Sequence, residues 1–167
     1  MATVLILQEL AQNIEHIKAA LEPRGHELVF VNEPEMALRL LGVHKDAQKN
    51  VERKEKVRAT SSAPLASRQI DAVICAVYLE ESDVFEFVRK VKKSDAKNVP
   101  IVFYCYKTST FARSVRSALK IAARSTGVDF YITMESFIAS EFAEQFEQCL
   151  FPASDRLAAL QIIDATY

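Results

Sequence analysis

Glycine is scarce: the chain has 167 residues and 3 glycines, Gly25, Gly42 and Gly127. None follows an apolar run in a G-x-G-x-x-G or G-x-x-x-x-G-K arrangement, so the backbone cradles that dinucleotides and nucleoside triphosphates need are missing. A G-x-S-x-G elbow is missing too, which removes serine-esterase chemistry. Cysteine is equally sparse. Cys75, Cys105 and Cys149 are odd in number and far apart, which is neither a disulfide framework nor a zinc pattern. Cys75 and Cys105 sit inside apolar runs, where thiols behave as small buried hydrophobes, so structural thiols in a reducing, cytoplasmic compartment are expected. Apolar runs such as Ile101–Cys105 fall far short of the roughly 20 residues of a bilayer span, so no membrane insertion is expected. The N-terminus, MATVLILQEL, lacks the basic segment and cleavage site of a signal peptide. The net charge of −1 gives no global attraction to nucleic acid or anionic lipid. His16, His26 and His44 fall on helix or loop positions and read as surface histidines, not ligands or bases.

What is present alternates between two periods. Short apolar runs predict strands at Thr3–Leu7, Glu27–Val31, Asp71–Leu79, Val99–Tyr106 and Val128–Thr133. Between them, helical spacing predicts helices over 10–21, from Pro34, over 82–93, over 110–125, and from Ser136 or Ser140 as a cap to about Phe151. Their apolar faces are expected from Ile14, Ile17 and Leu21, then Met36, Leu40 and Leu41, then Val84, Phe87, Val88 and Val91. Strands alternating with helices imply a parallel sheet covered on both faces. Five such units give a doubly wound, flavodoxin-like α/β fold with strand order 2-1-3-4-5.

Two stretches depart from that rhythm. Residues 43–70 carry seven basic against three acidic residues and a TSSAP segment, which reads as a basic insertion in a domain spanning 1–151. Residues 152–167, after Pro152, read as an amphipathic helical extension with Leu157, Leu160 and Ile163 on one face.

Ligands of an open parallel sheet bind at the carboxyl ends of its strands. Those ends are Gln8 and Glu9, Ala76 to Ser82, Cys105 to Ser109, and Met134 and Glu135. The stretches VLILQE, DAVICAVYLEESDVFEFVRKVKK, NVPIVFY and GVDFYITMESF, in this order, resemble the receiver domain of two-component response regulators. The resemblance implies an acidic magnesium-holding pair after the first strand, and Gln8 and Glu9 supply one carboxylate of the two. It implies a phospho-accepting aspartate at the end of the third strand, where Ala76 stands. It implies a serine or threonine where Cys105 stands and a lysine where Met134 stands. The switch aromatic of the fifth strand is matched by Tyr131. Aspartyl phosphorylation needs a carboxylate nucleophile and an oxygen-ligated divalent cation. The expectation is therefore a degenerate pseudo-receiver: no catalytic residue, no metal, no cofactor, and no enzyme activity.

Function is then expected on a surface. Arg113, Arg116, Lys120 and Arg124 form one stripe along the fourth helix, in a stretch (107–126) without an acidic residue, while Phe111, Val115, Ala118 and Ala122 are expected to face the sheet. Glu141, Glu144 and Glu147 make an acidic edge on the next helix. The resemblance implies that the fourth helix, fifth strand and fifth helix form one signalling face. A signalling protein partner or a homodimer, setting basic helix four against acidic helix five, is expected there. The chain reads as a stand-alone adaptor without an output domain. Two alternatives stay open: a nucleic-acid-associated regulator using the basic insertion and helix, ranked lower because no aromatics interleave the charges, and a pseudo-receiver that senses a small ligand.

Overall fold

A computed structural model describes residues 1–43, 69–77, 79, 83–106 and 116–150, with the side chains of 116 and 117 excepted. The insertion at 44–68, the stretch expected to open the fourth helix (Phe111, Arg113 and Val115 among it) and the extension from 151 onward lie outside the described residues.

Five strands, β1 (Thr3–Leu7), β2 (Glu27–Val31), β3 (Ala72–Ala76), β4 (Ile101–Tyr106) and β5 (Phe130–Met134), form one parallel sheet in the order β2-β1-β3-β4-β5. The helices are α1 (Ala11–Leu21), α2 (Pro34–Leu40), α3 (Val84–Lys92), α4 (Arg116–Thr126) and α5 (Ala139–Gln148). Successive strand residues point to opposite faces, so each apolar run serves two cores at once. Leu5, Leu7, Val29, Val73, Cys75 and Phe103 meet α2, α3 and α4 on one face. Val4, Ile6, Leu28, Ile74, Val102, Tyr104 and Ile132 meet α1 and α5 on the other.

The lower, amino-terminal end of the sheet is fixed by one device used twice. The N–H of Thr3 in β1 donates to the Asp71 carboxylate at 2.8 Å, and the Asp71 N–H donates back to the Thr3 carbonyl. The N–H of Ile101 in β4 donates to the Asp129 carboxylate at 2.8 Å, and the Asp129 N–H returns to the Ile101 carbonyl. Each aspartate satisfies a strand's first donor, which would otherwise be left open at a buried edge. This is why β3 begins at Ala72 and β5 at Phe130, later than the apolar runs predict. Lys92 Nζ joins the second pair, 2.8 Å from Asp129, and also donates to the carbonyls of Lys97 and Val99.

Helix starts and faces refine the sequence reading. Asp83 caps α3, accepting from the N–H groups of Phe85 and Glu86, and Val84, Phe87, Val88 and Val91 are buried as expected. In α2, Ala37 and Leu38 are the buried residues, with Met36, Leu40 and Leu41 packed half-buried at the margin. In α5, Ile138 occupies the cap position without a side-chain bond, so neither Ser136 nor Ser140 caps it. In α4 the expected inward face is rotated: Ala123 is buried and Leu119 half-buried, whereas Ala118 is exposed. The spacing of 119, 122, 123 and 126 is the face that meets the sheet.

All three glycines do one thing. Each sits just past a helical segment with positive φ, and the N–H groups of the glycine and its successor close on the last turn: Gly25 and His26 on Glu22 and Leu21, Gly42 and Val43 on Arg39 and Leu38, Gly127 and Val128 on Arg124 and Ala123. Gly127 is the most constrained, with φ +99 and a hypothetical Cβ only 2.9 Å from Lys92 Cγ. Lys92 is anchored by three bonds and has little room to give. Gly127→Ala is therefore expected to lower unfolding free energy by about 1–3 kcal/mol, read as a shifted urea midpoint. An unchanged midpoint would show that this contact relaxes freely.

Candidate functional site

The carboxyl ends of β1, β3 and β4 and the start of α1 surround a cleft of about 580 Å³. Gln8, Glu9, Ala76 and Cys105 all line it, as the position of the strand ends requires, together with Asn13, Asn32, Tyr104 and Tyr106. Met134 does not. It ends β5 opposite Tyr106 but turns into the α1/α5 core, where it is buried. Tyr131 faces the other layer, half-buried and tilted against Phe103 at a ring distance of 6.3 Å.

Among the described residues the donor set does not fit a hard divalent cation. Gln8 is 2 % exposed, and its Oε1 already accepts from Asn13 Nδ2 at 3.3 Å, while its Nε2 is buried without a hydrogen-bond partner. Ala76 offers no side-chain oxygen. Glu9 is exposed at the rim. Among the described residues no group of three or more His, Cys, Asp or Glu side chains converges on a common point. Magnesium takes oxygen ligands in near-octahedral array, and one carboxylate beside an amide that is already engaged is a poor start.

Beneath the cleft lies a ring cluster that the sequence reading missed. His16, on α1, stacks on Phe137 with centroids 4.0 Å apart and planes within 5°. Tyr106 meets it edge-on at 4.5 Å, and its Nδ1 is 3.0 Å from the Tyr104 hydroxyl. Tyr104 continues the contact to Phe142 of α5. Burial foremost, with the neighbouring Tyr106 and Cys105 adding to it, pushes the Tyr104 phenol above its usual range. His16 is thus half-buried packing, and His26 is buried, with Nε2 3.3 Å from Glu147. Both overturn the expectation of surface histidines; His44 lies outside the described residues. The available signal for His16 was its place beside core residue Ile17 on α1, three residues after Asn13.

Cys75 is fully buried and Cys105 half-buried at the cleft. The register sets Cys75 opposite Phe103, so Cys105 lies two residues further along the next strand. That separation is roughly 8 Å between Cα atoms, beyond disulfide reach.

On the surface, Lys120 and Arg124 are exposed on α4, and Glu141 and Glu144 on α5. Arg116 begins α4, and Arg113 lies outside the described residues. The two helices cover opposite faces of the sheet, with β5 between them as the edge strand. Among the described residues the acidic edge of α5 is engaged within the molecule by Arg24 and not by α4. Arg24 reaches Glu147 at 2.8 Å and Glu144 at 3.8 Å. Among the described residues no helix is long and apolar enough to cross a membrane.

Two core groups predict an alkaline limit. Burial pushes the Cys75 thiol up, as it does the Tyr104 phenol. An unfolded thiol ionises near pH 8.5 and a phenol near 10, while the folded groups stay protonated. The unfolded chain then holds fewer protons, so stability is complete below about pH 8 and falls as pH rises. Urea titrations between about pH 9 and 10 should show a loss approaching about 1.4 kcal/mol per pH unit from Cys75. Cys75→Ala, though less stable at neutral pH, should flatten that slope; an equal slope in the variant would remove Cys75 as its source.

No family model matches the chain, and no curated protein does. Solved structures do. One is the signal receiver domain of a signal transduction histidine kinase from Syntrophus aciditrophicus, 18% identical, TM-score 0.61, covering 90% of this chain and 90% of that one. Another is a response regulator from Thermotoga maritima, 15% identical, TM-score 0.62, covering 90% and 98%. A third is the receiver domain of a sensor histidine kinase from Pseudomonas aeruginosa, described with a magnesium ion coordinated in its active-site cleft, 15% identical, TM-score 0.60, covering 89% and 97%. At these identities the likeness is one of architecture: the chain has the five-stranded, doubly wound fold of response-regulator receivers.

Proposed function

We propose that this chain is a phosphorylation-independent receiver-like signalling module, not an enzyme, that acts in the cytoplasm by binding protein partners through α4, β5 and α5. The observation that carries the reading is the chemistry of the strand ends. Gln8, Ala76, Cys105 and Met134 stand where the receiver resemblance calls for a carboxylate, an aspartyl nucleophile, a hydroxyl and a lysine. An alanine has no nucleophilic atom, and a methionine turned into the core does not offset phosphoryl charge. With the pocket emptied of that chemistry, the fold's remaining asset is its surface. Lys120 and Arg124 stand exposed on α4 without an ion pair among the described residues. Like charges at i, i+4 cost a few tenths of a kcal/mol each, a cost that an acidic partner offsets.

Two measurements test the reading. Incubation with a small acyl phosphate and magnesium should leave the intact mass unchanged, and Ala76→Asp alone should not restore an adduct, because the other three positions remain unsuited. A phosphoryl adduct on the unaltered chain would end the phosphorylation-independent reading. A tagged pull-down from source lysate, with and without nuclease, should recover specific proteins that survive nuclease and are lost with Lys120→Glu/Arg124→Glu. Recovery of nucleic acid that nuclease removes would instead make the basic helix a phosphate-binding surface.

A further inference from the structure

The seam between α3 and α4 goes beyond the α4–β5–α5 face and has its own composition. The side chains of α3 establish its directions. Lys90 reaches toward α2, 3.6 Å from Glu35 and 3.2 Å from Glu86. Lys92 lies on the opposite flank, toward Gly127 at the end of α4 and Asp129 before β5. At about 100° per residue, Arg89 and Lys93 fall between them on the outer surface, Arg89 nearer the α4 flank and Lys93 at the end of the helix. Both are exposed, and neither forms an ion pair among the described residues.

Across the seam, α4 presents Ala118, Ile121 and Ser125, all exposed, at the i, i+3, i+7 spacing of one helix face. Ile121 is 69% exposed, one of the few large apolar side chains so uncovered among the described residues. Lys120 and Arg124 border this strip on its other side, equally exposed and equally without an ion pair among the described residues. A strip of small side chains centred on one exposed isoleucine, with the Ser125 hydroxyl turned onto the Ala122 carbonyl, thus lies between two pairs of cations, with Glu86 already engaged by Lys90. Asp95, below α3, is the nearest acid in sequence to Lys93 on its far side.

We propose that this seam is a docking site for an acidic amphipathic helix of another protein. Its apolar face would cover Ala118 and Ile121, and carboxylates along both of its edges would meet Arg89 and Lys93 on one side and Lys120 and Arg124 on the other. Charge complementarity chooses the sign of the partner. The central isoleucine chooses its class: an exposed branched alkyl group gains from burial against an apolar side chain, and offers nothing to a phosphate backbone. Helix-in-groove recognition of this kind reads apolar anchors at i, i+3 or i+4, and i+7.

The test uses the full chain, a short synthetic helix with a leucine stripe edged on both sides by glutamates, its lysine-for-glutamate counterpart, and a single-stranded RNA. Backbone amide shifts locate the contact and fluorescence anisotropy measures it. The acidic helix should bind, move resonances of α3 and α4, and lose at least about tenfold in affinity with Ile121→Ser and with Arg89→Glu/Lys93→Glu. These are surface positions, so circular dichroism should be unchanged in both variants. The second variant lies off α4, β5 and α5. Its loss of the peptide while pull-down partners are retained separates this seam from the face proposed above. The proposal is overturned if the acidic helix does not bind, if Ile121→Ser leaves its affinity intact, if the shifts fall on β5 and α5, or if the RNA binds more tightly than the helix.

Discussion

A parallel sheet buried on both faces is the constraint under which this molecule is assembled. Every strand residue from Val4 to Leu7 and from Ala72 to Ala76 is buried, so the central strands β1 and β3 have no solvent face on which to display chemistry. Two helical layers must supply the cover, and the connections between them bring the chain's polar groups to the two ends of the sheet. The amino-terminal end is closed by Asp71 and Asp129, each bonded to the first residue of a neighbouring strand. The carboxyl-terminal end is left open, and the cleft forms there. The division is physical: at one end two carboxylates are spent on the first backbone donors of the strands, and at the other the strand ends Gln8, Ala76 and Cys105 bring no carboxylate into the cleft, Glu9 standing at its rim.

That distribution shapes what the cleft offers. Its floor is an amide that points into protein, and its side wall is aromatic. The stacking of His16 on Phe137, with Tyr104 and Tyr106 around it, ties α1, β4 and the residues before α5 into one packed unit. In a fold whose likeness to receivers includes a protein with magnesium in its cleft, this end carries ring packing and a buried glutamine. The surface helices carry the charge. Lys120 and Arg124 on α4 are exposed and form no ion pair among the described residues, and ring packing builds one wall of the cleft.

Most of the architecture was legible in the sequence because a doubly covered sheet writes itself in short apolar runs. TVLIL and ELVFV read as strands with their observed limits, and the strand order followed from the alternation with helices. The third, fourth and fifth strands were read as starting too early because Asp71, Val99 and Val128 adjoin apolar residues, and only the tertiary bond to a neighbouring strand or the closure of the preceding helical turn shows that they stand outside the ladder. That Gln8, Ala76 and Cys105 stand at strand ends and line the cleft was also legible, since their positions follow from the strands. The direction of Met134 was not, because a strand's last side chain can turn to either layer. The rotation of α4 was missed for a similar reason: Ala122 lies on the sheet-facing side as read, but an alanine such as Ala118 is equally at home inside or outside, and Ile121 was the residue whose exposure sequence alone would not foretell. His16 and His26 were misjudged because a histidine's partners, here Phe137 and Glu147, lie more than a hundred residues away.

The three glycines have one further consequence. Each is committed to ending a helical segment, at Gly25, Gly42 and Gly127. The chain therefore holds no glycine in reserve. A loop at the upper end of the sheet that had to wrap its backbone closely around an anion would need a newly acquired glycine, because moving any of the existing ones would unravel a helix terminus. Changes of side chain on the helices need no such acquisition, which makes them the shorter route to new binding.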